Sequence, residues 1–127
     1  MNKKLGQYFT KNEELLKNIY KFIKNNPDKI LEPSIGQGHI VNYIKRKIEN
    51  VEIKMVEIDK NIEILEGINK EEIVYNDFID LDFKNKFKTI IGNPPYVKKK
   101  GTNLYIQFIE KCYNLLEEGG ELIFIIP

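Results

Sequence analysis

Apolar residues recur along this chain at two spacings, one typical of helices and one typical of strands. Thr10 and Glu13 have the spacing of a capping box, which predicts a helix with Thr10 as its N-cap. The apolar positions of this helix are Leu15, Leu16, Ile19, Phe22 and Ile23. Asn26-Pro27 ends the pattern, and a short strand is predicted at residues 29–31.

The alternation of strands and helices continues to the last residues. Four further strands are predicted, at residues 51–56, 73–75, 87–91 and 122–126. Helices are predicted between them, at residues 40–48, 62–68 and 105–116. Gly119-Gly120 is expected to end the last of these helices. This order predicts βαβ units, and therefore an α/β fold with a doubly wound, mostly parallel sheet in one domain. A ligand is expected beyond the carboxyl ends of the strands.

Composition narrows the classes of function. A single histidine and a single cysteine leave no internal disulfide and no set of nitrogen and sulfur ligands for zinc, so no metal is expected. No apolar run approaches the ~20 residues of a membrane span, and the first residues lack a signal peptide, so a cytoplasmic protein is expected. A protein that holds DNA by itself usually has a clear basic excess, whereas the net charge here is +1.

A loop with two glycines follows the first predicted strand. It has the sequence Glu32-Pro33-Ser34-Ile35-Gly36-Gln37-Gly38. Gly36 and Gly38 allow the backbone to turn tightly and to approach a ligand closely. A dinucleotide fingerprint would place a third glycine where Val41 stands, which argues against NAD. Two glycines alone are weak support, because plain tight turns contain them too.

Acidic residues at the next two strand ends strengthen the prediction of a cofactor site. Glu57 ends the second strand, where a carboxylate can accept hydrogen bonds from both hydroxyls of a ribose. Asp77 follows the third strand, where it can accept from an adenine amino group while Phe78 packs on the ring. The alternatives are a solvated strand end for Glu57 and a turn residue for Asp77. Asp59 is interpreted as the N-cap of the next helix.

The tetrapeptide Asn93-Pro94-Pro95-Tyr96 follows the fourth strand. Its prolines remove two backbone donors, which leaves the Asn93 side-chain oxygen and the Pro94 carbonyl as acceptors. An aromatic amine such as adenine N6 is a poor nucleophile because its lone pair is delocalised. Two acceptors on its hydrogens would localise that pair for attack on a sulfonium methyl group. Tyr96 would stack on the target ring. The alternative is a rigid proline turn with a buried tyrosine.

These motifs, in this order, resemble the γ-class (TaqI-like) N6-adenine DNA methyltransferases of restriction-modification systems. The matching segments are residues 6–10, 32–38, 56–59, 76–78 and 93–96. The resemblance implies a Rossmann-like class I methyltransferase fold, with S-adenosyl-L-methionine as the cofactor. It places Tyr8 and Thr10 at the methionine end, Ile58 and Phe78 beside the adenine, and Phe108 over that pocket. The alternative for Phe108 is a core residue. The expected cofactor-binding residues are Tyr8, Thr10, Glu32, Pro33, Gly36, Gly38, Glu57, Ile58, Asp77, Phe78 and Phe108.

The resemblance also carries expectations about DNA. The family continues beyond the counterpart of Pro127 with more strands, a second stacking aromatic residue and usually a target-recognition domain. Residues 1–127 are therefore expected to be the N-terminal part of such a domain, or a reduced protein that needs a partner subunit. The substrate would be DNA, with its target adenine flipped out. Lys98, Lys99 and Lys100 would either contact phosphates or form a solvated loop.

Two other functions stay open from the sequence. Enzymes that methylate a glutamine side chain of translation release factors share the tetrapeptide, and a glutamine amide is also a planar amino group. They usually carry a helical domain before the glycine loop, whereas residues 6–10 occupy that place here. A truncated domain could instead bind the cofactor or a partner without turnover. Ribosomal RNA adenine dimethylases typically have Leu or Ile at the first proline, so Pro94 argues against them.

Overall fold

The computed structural model describes residues 12–126, and five strands within that range form one parallel sheet. In chain order the elements are α1 (Glu13–Tyr20), β1 (Lys29–Glu32), α2 (His39–Lys47), β2 (Glu52–Glu57), β3 (Ile73–Tyr75), β4 (Phe87–Gly92), β5 (Lys98–Lys99), β6 (Thr102–Asn103), α3 (Leu104–Leu115) and β7 (Leu116–Phe124). Two short 3-10 helices lie at Lys70–Glu72 and Phe78–Asp80. The strand order in the sheet is β3-β2-β1-β4-β7, and β5 and β6 form a separate hairpin.

Both faces of the sheet are covered by helices. Successive residues of a strand point to opposite faces, so neighbours along a strand pack against different helices. Ile30 packs in the cluster with α1 and α2, whereas its neighbour Leu31 packs in the cluster with α3. The direction of the strand order changes between β1 and β4, so the cleft of a doubly wound sheet is expected at their carboxyl ends. The predicted α/β, doubly wound parallel fold is confirmed, and all five predicted strands are present.

The first helix begins and ends at other residues than its sequence pattern predicts. Asn12 is the N-cap, and its side-chain oxygen accepts a hydrogen bond from Leu15 N at 3.1 Å. The prediction of Thr10 as the cap was therefore wrong, and Thr10 itself lies outside the described residues. The helix ends at Tyr20 in a tight turn, in which Phe22 N donates to the Ile19 carbonyl. This turn leaves Phe22 63% exposed, so Phe22 does not continue the apolar face.

The prediction of a short helix at residues 62–68 was also wrong. Residues 59–69, all of them described, form turns and irregular chain instead of an α-helix. Leu65 N donates to the Gln37 carbonyl at 3.0 Å, so this backbone donor serves the glycine loop and not a helix. Asp59 accepts from Asn61 N at 2.9 Å, as a capping residue would, but it starts only a turn. The segment therefore supports the loop from outside the sheet.

Two features between β4 and the last strand differ from the expectations. Gly119-Gly120 lies inside β7 and does not end a helix, because α3 ends at Leu115 and pairing with β4 begins at Leu116. Gly119 has φ +78°, and the register of β7 against β4 shifts in this region. The hairpin β5–β6 was not predicted. Its tip, Lys100-Gly101, has positive φ at both residues, which is the conformation of a type I′ turn.

None of the helices within residues 12–126 has the length and apolar character that a membrane crossing requires.

Glu121 on β7 ties the chain after α1 to the sheet, and its removal should destabilise the fold. Its carboxylate accepts from Lys24 N at 2.8 Å, from Asn25 N at 3.1 Å and from the buried Thr89 hydroxyl at 2.7 Å. We expect Glu121→Ala to lower the free energy of unfolding by about 1–3 kcal/mol, because these donors lose their acceptor. Urea unfolding followed by circular dichroism measures the change.

Glu118→Ala is the matched control for Glu121→Ala, because Glu118 lies on the same strand and is exposed. Its effect should stay within about 0.5 kcal/mol of zero. Equal effects of the two substitutions would contradict the role assigned to Glu121.

Candidate active site

The carboxyl ends of four strands open onto one cleft of about 370 Å³. Four sequence motifs that lie far apart along the chain meet there: the glycine loop after β1, the end of β2, the turn after β3 and the tetrapeptide after β4. The predicted site residues that line the cleft are Glu32, Pro33, Gly36, Glu57, Ile58, Asp77, Phe78, Asn93, Pro94, Pro95, Tyr96, Lys99 and Phe108. Tyr8 and Thr10 lie outside the described residues. Gly38, Lys98 and Lys100 are not part of the lining.

The glycine loop is held by the carboxylate of Glu57, which is only 3% exposed. One carboxylate oxygen accepts from Gly36 N at 2.8 Å, and the other accepts from Asp59 N at 3.0 Å. Each oxygen keeps a further lone pair, so both can still accept from ligand hydroxyls. Gly36 and Gly38 have φ +57° and +101°, a region that favours glycine. Glu57 therefore fixes the loop and faces the cleft at once.

Glu32 is a buried acid at the floor of the cleft. Its side chain accepts from Ser34 N at 2.6 Å, and a Cβ added at Gly92 would lie 3.2 Å from its carboxyl carbon. Burial raises the pKa of Glu32 well above its ordinary value. The hydrogen bond from Ser34 opposes this rise, and the negative charge of Glu57 adds to it. The floor of the cleft thus disfavours a second negative charge.

The turn after β3 contributes one carboxylate and one aromatic ring. Asp77 caps the 3-10 helix Phe78–Asp80 by accepting from Ile79 N at 3.0 Å, and its second oxygen lies 3.5 Å from Lys99 Nζ. Phe78 is 1% exposed and tilts against the Phe108 ring, with 4.9 Å between the centroids. Ile58 is 63% exposed at the end of β2. An apolar wall with a carboxylate at its edge results.

The tetrapeptide places an amide, a carbonyl and an aromatic ring at the end of β4. The Tyr96 hydroxyl lies within hydrogen-bond reach of the Asn93 side-chain oxygen, and 2.8 Å from the Ile125 carbonyl oxygen. A hydroxyl carries one proton, so it donates to one of these acceptors at a time. Burial raises the pKa of Tyr96 to about 12, so the hydroxyl stays a donor at neutral pH. Its ring meets Tyr105 edge to face at 6.2 Å.

The three consecutive lysines after the tetrapeptide do not act as a group. All three are exposed, but only Lys99 lines the cleft and forms an ion pair with Asp77. Sequence reasoning missed several residues that line the cleft: Ser34, Ile35, Gln37, His39, Ile62, Asn76, Val97 and Leu104. Ser34, Ile35, Gln37 and Asn76 lie inside the motif segments 32–38 and 76–78, and His39 and Val97 directly follow a motif, so membership or adjacency was the available signal. Within residues 12–126, no cluster of His, Cys, Asp or Glu could hold a metal ion.

The family of this chain follows from a comparison with known proteins. The family model described as Eco57I restriction-modification methylase matches residues 3–127. The chain belongs to this family. The resemblance to restriction-modification methyltransferases drawn from the sequence motifs is thereby confirmed.

Individual relatives of this chain include two DNA modification enzymes and one ribosomal RNA methyltransferase. Modification methylase CviBIII of Paramecium bursaria Chlorella virus NC1A is 36% identical, over 98% of this chain and 38% of that protein. Type II methyltransferase M.HincII of Haemophilus influenzae is 32% identical, over 97% of this chain and 28% of that protein. Ribosomal RNA small subunit methyltransferase A of Mycoplasma genitalium is 36% identical, over 75% and 39%. The chain thus spans less than half the length of these relatives.

A solved structure supports the fold of this family member. A protein of Listeria monocytogenes described as a class I S-adenosylmethionine-dependent methyltransferase superposes with a TM-score of 0.56 at 15% identity, over 97% of this chain and 45% of that one. The cofactor that this fold and the methylase family imply is S-adenosylmethionine. The cleft fits such a molecule. Carboxylates at two strand ends match ribose and adenine donors, and the space beside Gly36 is open, with no atom within 4 Å of an added Cβ.

Replacing Glu32 by glutamine removes a group that is harder to ionise in the folded protein than in the unfolded chain. Between its ordinary pKa of 4.5 and its raised folded pKa, the folded protein binds more protons, so stability falls as pH rises. We expect Glu32→Gln to unfold at a higher temperature than the unsubstituted chain at neutral pH. This advantage in unfolding temperature should disappear below pH 4.5, where Glu32 is protonated in both the folded and the unfolded chain. Thermal unfolding at a series of pH values measures it, and an advantage that is independent of pH would contradict this account.

Proposed function

We propose that this chain carries the cofactor-binding and catalytic part of a DNA methyltransferase that methylates adenine at N6. The observation that supports it most is the position of Asn93–Tyr96 in the same cleft as Glu57 and Asp77. A target amine held by the tetrapeptide would lie beside a cofactor held by the two carboxylates. The match of residues 3–127 to the family model of Eco57I restriction-modification methylases adds support.

The cofactor is proposed to lie along the carboxyl ends of β1, β2 and β3. Glu57 accepts from the ribose hydroxyls, and Asp77 accepts from the adenine amino group between Ile58 and Phe78. Gly36 and Gly38 keep the loop close to the ligand, and Phe108 closes the adenine side. Glu32 and Pro33, with Tyr8 and Thr10 of the first residues, are proposed for the methionine end. When bound, S-adenosylmethionine supplies the methyl group.

The target amine is proposed to be held by the Asn93 side-chain oxygen and the Pro94 carbonyl. Two acceptors on its hydrogens concentrate the nitrogen lone pair, and no strong base is needed. Tyr96 offers its ring for stacking on the base, while Pro95 keeps the turn rigid. Because the Tyr96 hydroxyl also reaches the Ile125 carbonyl, it can release the Asn93 oxygen to the substrate and still keep an acceptor.

DNA contacts are proposed for the hairpin next to the tetrapeptide. Lys98 and Lys100 are exposed and can reach phosphates, and Lys99 shares this role only when it leaves Asp77. Three lysines and a net charge of +1 provide little sequence-independent affinity. We therefore propose that residues 1–127 form the N-terminal part of a methyltransferase domain, and that a further domain or a partner subunit selects the target.

Cofactor binding is the first test. Calorimetry of the 127-residue chain with S-adenosylmethionine should give one binding site. Glu57→Ala should weaken this binding at least tenfold, because the ribose hydroxyls lose an acceptor worth about 1–3 kcal/mol and the loop loses its brace. Glu52→Ala, at an exposed position of the same strand, should bind as the unsubstituted chain does. Failure of the unsubstituted chain to bind would contradict the cofactor site.

Methyl transfer is the second test. The chain, together with the target-selecting domain or partner subunit proposed above, is incubated with tritium-labelled S-adenosylmethionine and, in separate reactions, adenine-containing DNA, ribosomal RNA or a release factor. We expect label in N6-methyladenine of DNA. Asn93→Ala should lower the rate by roughly 10²–10³, because one acceptor in the transition state is lost. Asn114→Ala, exposed on α3, is the control.

The other outcomes of the transfer assay each select a different function. Label on a glutamine of the release factor would overturn the DNA assignment in favour of a protein substrate. Label in ribosomal RNA would favour the activity named for the Mycoplasma genitalium relative. Cofactor binding without transfer to any acceptor would support a non-catalytic binding domain.

A further inference from the structure

Lys111 of α3 reaches the backbone of the turn that carries Asp77 and Phe78. Its ammonium group donates to the Phe78 carbonyl at 2.5 Å, to the Ile79 carbonyl at 3.0 Å, and to the Leu81 carbonyl. A lysine has three N–H donors, and here all three have an acceptor. These carbonyls belong to the end of the 3-10 helix Phe78–Asp80, where a positive charge is favourable. Lys111 therefore fastens this turn from the side opposite its Asp77 cap.

The same ammonium group also lies over aromatic rings. It is 4.9 Å from the centroid of the Phe78 ring and 5.6 Å from that of Phe83, distances at which a cation is attracted to a ring face. Phe108 stands one helical turn before Lys111 and contacts the Phe78 ring as well. Two residues on the same side of α3, the ring of Phe108 and the ammonium group of Lys111, thus hold Phe78 in position.

A packing role alone does not explain a lysine here. Phe108 and Cys112 already bury α3 against the sheet, and an apolar side chain at position 111 would fill the space without a desolvation penalty. Burial lowers the pKa of Lys111, while the carboxylates of Asp82, Asp80 and Asp77 oppose that change. The specific contribution of the lysine is its set of donors to three carbonyls.

We propose that Lys111 is a positioning residue for the adenine end of the cofactor site. By holding the turn, it orients the Asp77 carboxylate and the Phe78 ring, and so sets the preference of the cleft for adenine over other bases. Asp77 can accept from the 6-amino group of adenine, whereas a 6-oxo base offers another acceptor and is repelled. This inference rests on the proposed function, because it treats Asp77 and Phe78 as contacts of the cofactor.

The test compares the binding of S-adenosylhomocysteine, whose base has a 6-amino group, with that of S-inosylhomocysteine, whose base has a 6-oxo group and a proton on N1. Calorimetry on the 127-residue chain should show a preference of roughly tenfold or more for the adenine compound. Lys111→Met should lose most of that preference by weakening adenine binding, with little change for the inosine compound. Lys111→Gln keeps two amide hydrogens, so its preference for the adenine compound should lie between those of the unsubstituted chain and Lys111→Met. Lys86→Met, an exposed lysine before β4, is the control and should match the unsubstituted chain.

The outcomes separate this inference from the proposed function. If the unsubstituted chain bound neither compound, the proposed cofactor site would fail. If it preferred adenine and Lys111→Met kept that preference, only the role of Lys111 would be overturned. Equal weakening of both ligands would mean a merely structural role and would also overturn it. Should Lys111→Met not fold, Lys111→Gln decides alone, because an unchanged preference in that variant contradicts the proposal.

Discussion

One buried carboxylate, that of Glu57, connects the two loops that form the cofactor side of the cleft. Glu57 accepts from the glycine loop through one oxygen and from the turn after β2 through the other. The loop comes from β1 and the turn from its neighbour, so the pair of hydrogen bonds holds two strand ends at a fixed separation. Its negative charge also reaches Glu32, which is one reason why that acid is hard to ionise. The shape of the cleft and the electrostatics of its floor thus depend on the same side chain.

The strands could be predicted because a parallel sheet leaves a strong local signal. Strands buried on both faces appear as short apolar runs, and residues such as Ile30 and Ile90 have no exposure at all. The predictions of secondary structure were wrong where a hydrogen bond or strand pairing to a distant residue outweighs the local sequence pattern. Ile62, Leu65 and Ile68 have helical spacing, yet Leu65 N donates to Gln37, far from it in sequence. Gly119 has the character of a helix stop, but pairing with β4 makes it part of a strand.

The candidate site followed from the sequence to the extent that topology converts sequence order into proximity. Acidic residues and a proline turn at successive strand ends of a parallel sheet must meet at one edge, and Glu57, Asp77 and Asn93 do. Contacts between side chains and distant backbone carbonyls could not be derived this way. Tyr96 meets the Ile125 carbonyl across 29 residues, and Lys111 meets the Phe78 carbonyl across 33. Neither spacing has any local signature.

The hairpin between the tetrapeptide and α3 tolerates a change of length at its tip but not at its base. Leu104 N donates to the Val97 carbonyl at 2.8 Å, which closes the hairpin at its base. Residues inserted at the tip, Lys100-Gly101, would extend into solvent and leave that closure unchanged. One residue inserted before Val97 would instead move the start of α3, and with it the ring of Phe108. In a diverging lineage, insertions should therefore accumulate at the tip and be eliminated at the base.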